Sequence, residues 1–244
     1  MQMRIAILVA MDKEYDLLRD ALNIKEVALD EKKENERYVI GTSKNCDGIC
    51  VMLTKCGIGK VNSALTTASV IKNFHPNVVV SSGVCGCLNK GGVEQGTIFV
   101  NLTTKYHDVY CGEKLGQIQG MPEIYKAADY ATTFVTYMMS RQFKNVYGCR
   151  MISGDWFVDT AEKAEQIYKD HHLDEEWIYG IDMESGSIAQ TCHIYNIPFV
   201  GIRIVSDCPL CPNCASYDDF WKNAPDTLNR VVCAFFDFVK DTQF

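Results

Sequence analysis

An α/β fold is predicted by three features of the sequence. Short, near-continuous apolar runs rich in β-branched residues recur along the chain, stretches of helical length lie between them, and turn signals separate the two. The 244 residues, 47% hydrophobic and 23% charged, are enough to bury one large core. No linker, internal repeat or low-complexity tract interrupts them, so a single domain over residues 1–244 is expected.

The apolar runs are Ile5 to Val9, Ile49 to Thr54, Val78 to Ser81, Thr97 to Asn101, Val146 to Ile152, Ile178 to Ile181 and Phe199 to Val205. Lacking strict polar alternation, they suit strands covered on both faces. Helices are expected over Lys13 to Ala21, Val61 to Phe74, Ala127 to Arg141, Thr160 to Asp170, Glu184 to Tyr195 and Ser216 to Lys240, several of them as crossovers between strands. His75-Pro76-Asn77 and Asn196-Ile197-Pro198 stop two of these helices, because proline disfavours helix at the residue before it. Ser216 followed by Asp219 reads as the capped start of the last helix, and Asp30 to Arg37 and His171 to Glu176 as charged turns.

Thirty-one acids against 24 bases give a formal net charge of −7, with no basic block. The attraction that nucleic acid or an anionic membrane requires is therefore missing. No apolar run reaches the roughly 18–20 residues of a membrane span, and Met1 to Met11 reads as a buried strand rather than a signal peptide. Many of the twelve cysteines, including Cys50, Cys56, Cys149, Cys192 and Cys233, lie in apolar stretches as small hydrophobes, which suits a reducing cytoplasm. Cys208, Cys211 and Cys214 stand apart. Their C-x2-C-x2-C spacing resembles metal ligation, but a closed site wants four ligands and no partner pair follows. Reduced loop cysteines are preferred, and no metal or other cofactor is expected.

Ligands of open α/β sheets gather at the carboxyl ends of strands, so chemistry is expected there. Glu14 follows the first strand, and by itself it also reads as an ordinary first-turn acid. Ser82-Gly83-Val84-Cys85-Gly86 follows the third run, where glycines permit close backbone approach or merely a tight turn. Cys56-Gly57-Ile58-Gly59-Lys60 lacks the spacing of a phosphate loop. Ser153-Gly154-Asp155-Trp156-Phe157-Val158 offers aromatics for a planar ligand or for core packing. Asp182-Met183-Glu184 suits ligand hydroxyls or helix N-terminal charge, and Ser206-Asp207 is a strand-end carboxylate or a cap. The conjunction carries more than any one of them.

Taken in order, Ala10-Met11-Asp12-Lys13-Glu14, Gly57-Ile58-Gly59-Lys60-Val61, Ser82-Gly83-Val84-Cys85-Gly86, Tyr106-His107-Asp108, Ser153-Gly154-Asp155-Trp156-Phe157, Asp182-Met183-Glu184 and Arg203-Ile204-Val205-Ser206-Asp207 resemble the 5′-methylthioadenosine/S-adenosylhomocysteine nucleosidase family. The likeness runs from Ile5 to the final helix. It implies a three-layer α/β/α fold around a mixed, partly barrel-like sheet, a homodimer, and irreversible hydrolysis of an adenine N-glycosidic bond. In that light Asp207 matches the general acid to purine N7, and Glu14 the base that activates water. Glu184 matches the acceptor for the ribose hydroxyls, Met183 the side chain beneath the sugar and Phe157 the aromatic on adenine. The Val158 backbone would read the edge of the base, beside Gly86 of the glycine stretch. Ser206 supports the acid loop, Arg203 lies near the sugar site and Tyr217 closes over the ligand.

The sequence also departs from the family. Val84 replaces a small hydroxyl residue near the water and ribose, Asp182 replaces a longer acid, and the loop between Asp108 and Gly116, which lies where the 5′-substituent would sit, is short. Another 5′-modified adenosine, such as aminodeoxyfutalosine, is therefore the alternative substrate. A phosphorylase would need cationic phosphate ligands, but Ser82 occupies the usual arginine position and Lys60 is the one exposed cation expected nearby. A nucleoside-binding protein without turnover would have no need of both Glu14 and Asp207.

Overall fold

The computed structural model describes residues 2–22, 24–26, 38–43, 48–211, 217–223 and 225–242. Strand β1 (Met3–Val9) leads into helix α1 (Asp12–Leu22), followed by β2 (Ile24–Glu26), β3 (Tyr38–Ser43) and β4 (Ile49–Lys55). Helix α2 (Lys60–Phe74), β5 (Val78–Cys87), β6 (Ile98–Tyr106), β7 (Tyr125–Lys126) and α3 (Ala131–Ser140) come next. The chain continues through β8 (Val146–Ser153), α4 (Ala161–Asp170), β9 (Tyr179–Asp182), α5 (Ser185–Tyr195), β10 (Phe199–Asp207), α6 (Tyr217–Asn223) and α7 (Pro225–Thr242).

Among the described residues, ten strands join one mixed sheet in the order β10-β6-β8-β9-β5-β1-β4-β3-β2, with β7 on β6. An additional parallel pairing of β10 with β5 closes five of them, β5, β10, β6, β8 and β9, into a barrel-like ring. From this ring β1, β4, β3 and β2 extend as an open wing.

Alternation along the central strand distributes the two outer layers, since successive side chains point to opposite faces. Ile5, Ile7 and Val9 pack with Tyr15 and Leu18 of α1, Phe134 of α3 and Phe235 and Phe238 of α7. Ala6 and Leu8 pack instead with Val70, Ile71 and Phe74 of α2 and Ile188 and Cys192 of α5. Helices thus cover both faces, giving three layers. His75 and Asn196 close α2 and α5 in the left-handed conformation, where the two proline-marked stops were expected.

The structure corrects several boundaries. Ser82 to Cys87 continues β5 rather than forming a turn, because its backbone pairs with β10 on one side and β9 on the other. The stretch expected as the final helix is helical as α6 and α7, with residue 224 between them outside the described residues. Helix α3 begins at Ala131 rather than Ala127, since Ala127 and Ala128 donate to Leu102 and Phe199. Strands β2, β3 and β7 were not anticipated. Ser216, Cys214 and the charged stretch 30–37 lie outside the described residues. Among the described residues no helix is long and apolar enough to cross a membrane.

Candidate active site

The carboxyl ends of β1, β5, β9 and β10 converge on a cavity of about 120 Å³. Of the residues singled out in the sequence, Glu14, Gly86, Phe157, Val158, Met183, Glu184, Ser206, Asp207 and Tyr217 line it. Arg203 does not; it lies buried behind the wall.

Glu14 is 2% exposed and held by backbone alone. Oε2 accepts from the N–H groups of Ala10 and Met11, each at 3.0 Å, and Oε1 from Val84 N–H at 3.0 Å. Burial raises its pKa, while the Arg203 charge and these amides pull it back down. Glycine at position 83 makes the contact possible: a Cβ there would lie 3.1 Å from Glu14 Cδ and 3.3 Å from Arg203 Nη1.

Asp207 ends β10 at a register shift that follows Val205. Ser206 Oγ donates to its Oδ1 at 2.6 Å, and Ser206 is anchored by Gln95 Nε2, which donates to its carbonyl at 2.7 Å. Burial raises the Asp207 pKa, and the Ser206 hydrogen bond opposes the rise. A protonated form in the cavity is thereby favoured.

Glu184 accepts from Gly59 N–H at 3.0 Å, across from the loop before α2. Burial, then the Asp182 charge, push its pKa up to about 8, against the pull of Arg203 and the Gly59 N–H. Asp182 is turned the other way, to Arg203, whose Nη2 stands 2.7 Å from Asp182 Oδ2. That guanidinium also donates to Ser81 Oγ at 2.9 Å, and Ser185 Oγ donates to the same Asp182 oxygen. Arg203 is therefore a buried counter-ion shared by Asp182, Glu184 and Glu14 rather than a cavity wall.

An aromatic lip closes the open side. Phe157, 54% exposed, meets Tyr217 edge to face with centroids 5.6 Å apart, and the Tyr217 hydroxyl reaches Met11 Sδ at 3.5 Å. Met11, Ile58, Cys85, Trp156 and Ile181 were not expected among the ligand-binding residues, yet all line the cavity. Trp156 lies in the aromatic stretch that suited a planar ligand or core packing; Ile58 and Cys85 carry no chemical signal.

Lys60 is not the exposed cation expected. Its Nζ donates to Asp108 Oδ2 at 2.7 Å and stands 3.8 Å from Asp155 Oδ2. Among the described lining residues none is cationic. Cys208 is buried, with its Sγ 3.5 Å from the Val93 carbonyl, and Cys211 is half-buried beside the same core. Among the described residues no three His, Cys, Asp or Glu side chains come together to hold a metal.

The chain matches the phosphorylase superfamily over residues 4–237. It is 33% identical to a 5′-methylthioadenosine/S-adenosylhomocysteine nucleosidase of Desulfotalea psychrophila, covering 98% of this chain and 97% of that protein. Its fold is similar to the crystal structure of the nucleosidase of that name from Neisseria meningitidis in complex with methylthio-immucillin-A (TM-score 0.81, 30% identity, 95% and 97% covered). It is similar also to a putative nucleosidase of that name from Borrelia burgdorferi bound to adenine (TM-score 0.83, 27% identity, 96% and 99% covered).

Proposed function

The chain belongs to the phosphorylase superfamily and, within it, to the 5′-methylthioadenosine/S-adenosylhomocysteine nucleosidases, and from that premise we propose how its cavity cleaves an adenine nucleoside. The enzyme hydrolyses the N-glycosidic bond of 5′-methylthioadenosine or S-adenosylhomocysteine, releasing adenine and a 5-thioribose product. As the bond breaks, positive charge develops on the ribosyl ring and negative charge on the purine. Asp207, whose pKa burial raises, donates a proton to N7, so that adenine leaves neutral. Water attacks the anomeric carbon and passes a proton to Glu14, whose carboxylate is aimed by the Ala10, Met11 and Val84 amides.

Glu184 accepts hydrogen bonds from the ribose hydroxyls and Met183 packs beneath the sugar. Phe157 stacks on the base, the Val158 backbone meets its edge beside Gly86, and Tyr217 closes the lip. Ser206 steers Asp207 so that its Oδ1 is occupied and Oδ2 is left for the base. Arg203 acts from behind, keeping three buried carboxylates tolerable.

One observation carries this reading: two carboxylates from opposite ends of the chain line one cavity that has no cationic side chain among its described lining residues. A phosphorylase needs such a cation for its phosphate, and the Lys60 ammonium is already held by Asp108. Adenine release from methylthioadenosine in phosphate-free buffer is the test. Strict phosphate dependence with ribose 1-phosphate as product would replace hydrolysis by phosphorolysis. Loss of turnover in both Asp207→Asn and Glu14→Gln is expected; full activity in both would remove the assigned roles.

We also infer a homodimer. Val61 and Leu65, one turn apart on α2, are 70% and 67% exposed and continue from Ile58 at the cavity rim, an apolar surface that suits a second copy. A reducing, cytoplasmic location fits the buried thiols of Cys56, Cys87, Cys149 and Cys192.

A further inference from the structure

The wall that stacks on the base is the weakest part of the cavity by secondary structure. Residues 154–159 form neither helix nor strand, yet they carry Trp156, Phe157 and Val158. Gly154 N–H reaches the Asp182 carbonyl at 3.2 Å, and Asp155 N–H donates to Asp108 Oδ2 at 2.8 Å. Two side chains tie it further: Asp155 Oδ1 accepts the Lys60 N–H at 2.8 Å, and Lys163 Nζ donates to the Phe157 carbonyl at 3.1 Å.

These bonds share members. Asp108 Oδ2 takes both the Asp155 amide and the Lys60 ammonium, so one carboxylate oxygen joins the end of β6 to the loop and to α2. Lys60 in turn adjoins Gly59, whose N–H donates to Glu184. The closeness is steric as well as polar. A Cβ on Gly59 would lie 2.9 Å from Asp155 Oδ1, and one on Gly154 would lie 2.7 Å from both Asp108 Cγ and His107 Cδ2. The His107 ring meets Trp156 edge to face at 5.5 Å, which fixes that indole from behind.

We propose that Asp108 and Lys60 are positioning residues: their ion pair clamps loop 154–158 onto α2 and thereby sets the distance between the base wall and Glu184. The pair is half-sheltered, the Lys60 and Asp108 side chains being 24% and 10% exposed, so it is less weakened by water than a surface pair. Neither residue lines the cavity, and their effect passes through the backbone amides of Asp155 and Gly59. This assignment rests on the nucleosidase reading, because it takes the aromatic wall to be the base site.

A clamp that places a binding wall contributes equally to substrate and transition state, so its loss raises KM and leaves kcat nearly unchanged. The experiment compares wild type with Asp108→Ala, the milder Asp108→Asn, Lys60→Met and Lys60→Arg. Adenine release is measured alongside amide hydrogen exchange over residues 154–158. Asp108→Ala and Lys60→Met are expected to raise KM about tenfold with kcat within about twofold. Lys60→Arg, which keeps the cation, restores KM, and exchange at the Asp155 amide accelerates at least about tenfold in Asp108→Ala.

Unchanged KM despite faster exchange would overturn the proposal, as would unchanged exchange. A fall in kcat at constant KM would overturn it too, placing the pair in the chemistry. Should wild type release no adenine, the nucleosidase reading fails on its own. The exchange measurement then still judges the clamp, and unaltered protection in Asp108→Asn and Asp108→Ala refutes it.

Discussion

Removing Arg203 should cost more stability than removing the carboxylate it contacts most closely. Arg203 and Asp182 are 2.7 Å apart with side chains 3% and 1% exposed, so both charges have given up nearly all their water. Breaking such a pair by deleting one partner typically costs about 3–5 kcal/mol, most of it the charge left behind. The two deletions leave different remainders. Asp182→Asn keeps Arg203 facing Glu184 and Glu14, whereas Arg203→Met strands three buried acids with no counter-ion. We expect about 2 kcal/mol for the first, the scale of one charged hydrogen bond, and about 4 kcal/mol for the second. For a chain of this size the latter lowers the melting temperature by roughly 8–16 °C. Thermal unfolding followed by circular dichroism at pH 8 reads both. Acidification should rescue Arg203→Met in particular, because its stranded acids can then take up protons. Equal losses in the two variants, or an Arg203→Met loss below about 1 kcal/mol, would refute the shared counter-ion argument.

Three further outcomes follow from the geometry. Glu184 carries a pKa of about 8 against its ordinary 4.5, so the folded state holds a proton that the unfolded chain has lost; stability falls as pH rises between those values and levels off above about 8. Glu184→Gln should flatten that slope in melting temperature against pH, and an undiminished slope would assign it elsewhere. Gly86→Ala places a methyl 3.0 Å from Ile181 Cγ2 and 3.7 Å from Asp207 Oδ2, crowding the base against its acid. A loss of about tenfold in kcat/KM is expected, equivalent to ~1.4 kcal/mol, and wild-type kinetics would show that the base sits away from this strand. Val61→Glu combined with Leu65→Glu should convert the proposed dimer to a monomer in sedimentation velocity, and an unchanged sedimentation coefficient would refute an interface on α2.

The seven apolar runs were legible because strands sheltered on both faces need no polar alternation, and Ile5 to Val9 is wholly buried between two helical layers. The ring was not legible from local pattern. Ser82-Gly83 looks like punctuation, yet it is strand because β10 and β9 arrive from far along the chain to pair with it. Likewise Tyr125 and Lys126 form a strand only because β6 offers an edge. At the site, Glu14, Asp207 and Glu184 lie just after apolar runs, where an acid also reads as a cap or helix-end charge, and only the ordered resemblance of the motifs singled them out. Arg203 was misplaced for a geometric reason: inside a strand, one step of alternation decides whether a side chain faces the ligand or the interior. Lys60 was misread because its partner Asp108 is 48 residues away.

The closure of the ring by β10 also orders events during biosynthesis. The proposed base stands on the first helix, while the acid waits for the last strand, and that strand is held in place by α7, which packs against both α1 and β10. At about 5–20 residues per second, roughly 10–40 s of translation separate the emergence of the two groups from the ribosome. A nascent or truncated chain therefore holds a carboxylate for water with no proton for the purine. The proposed pair is assembled only once α7 has packed against α1 and β10.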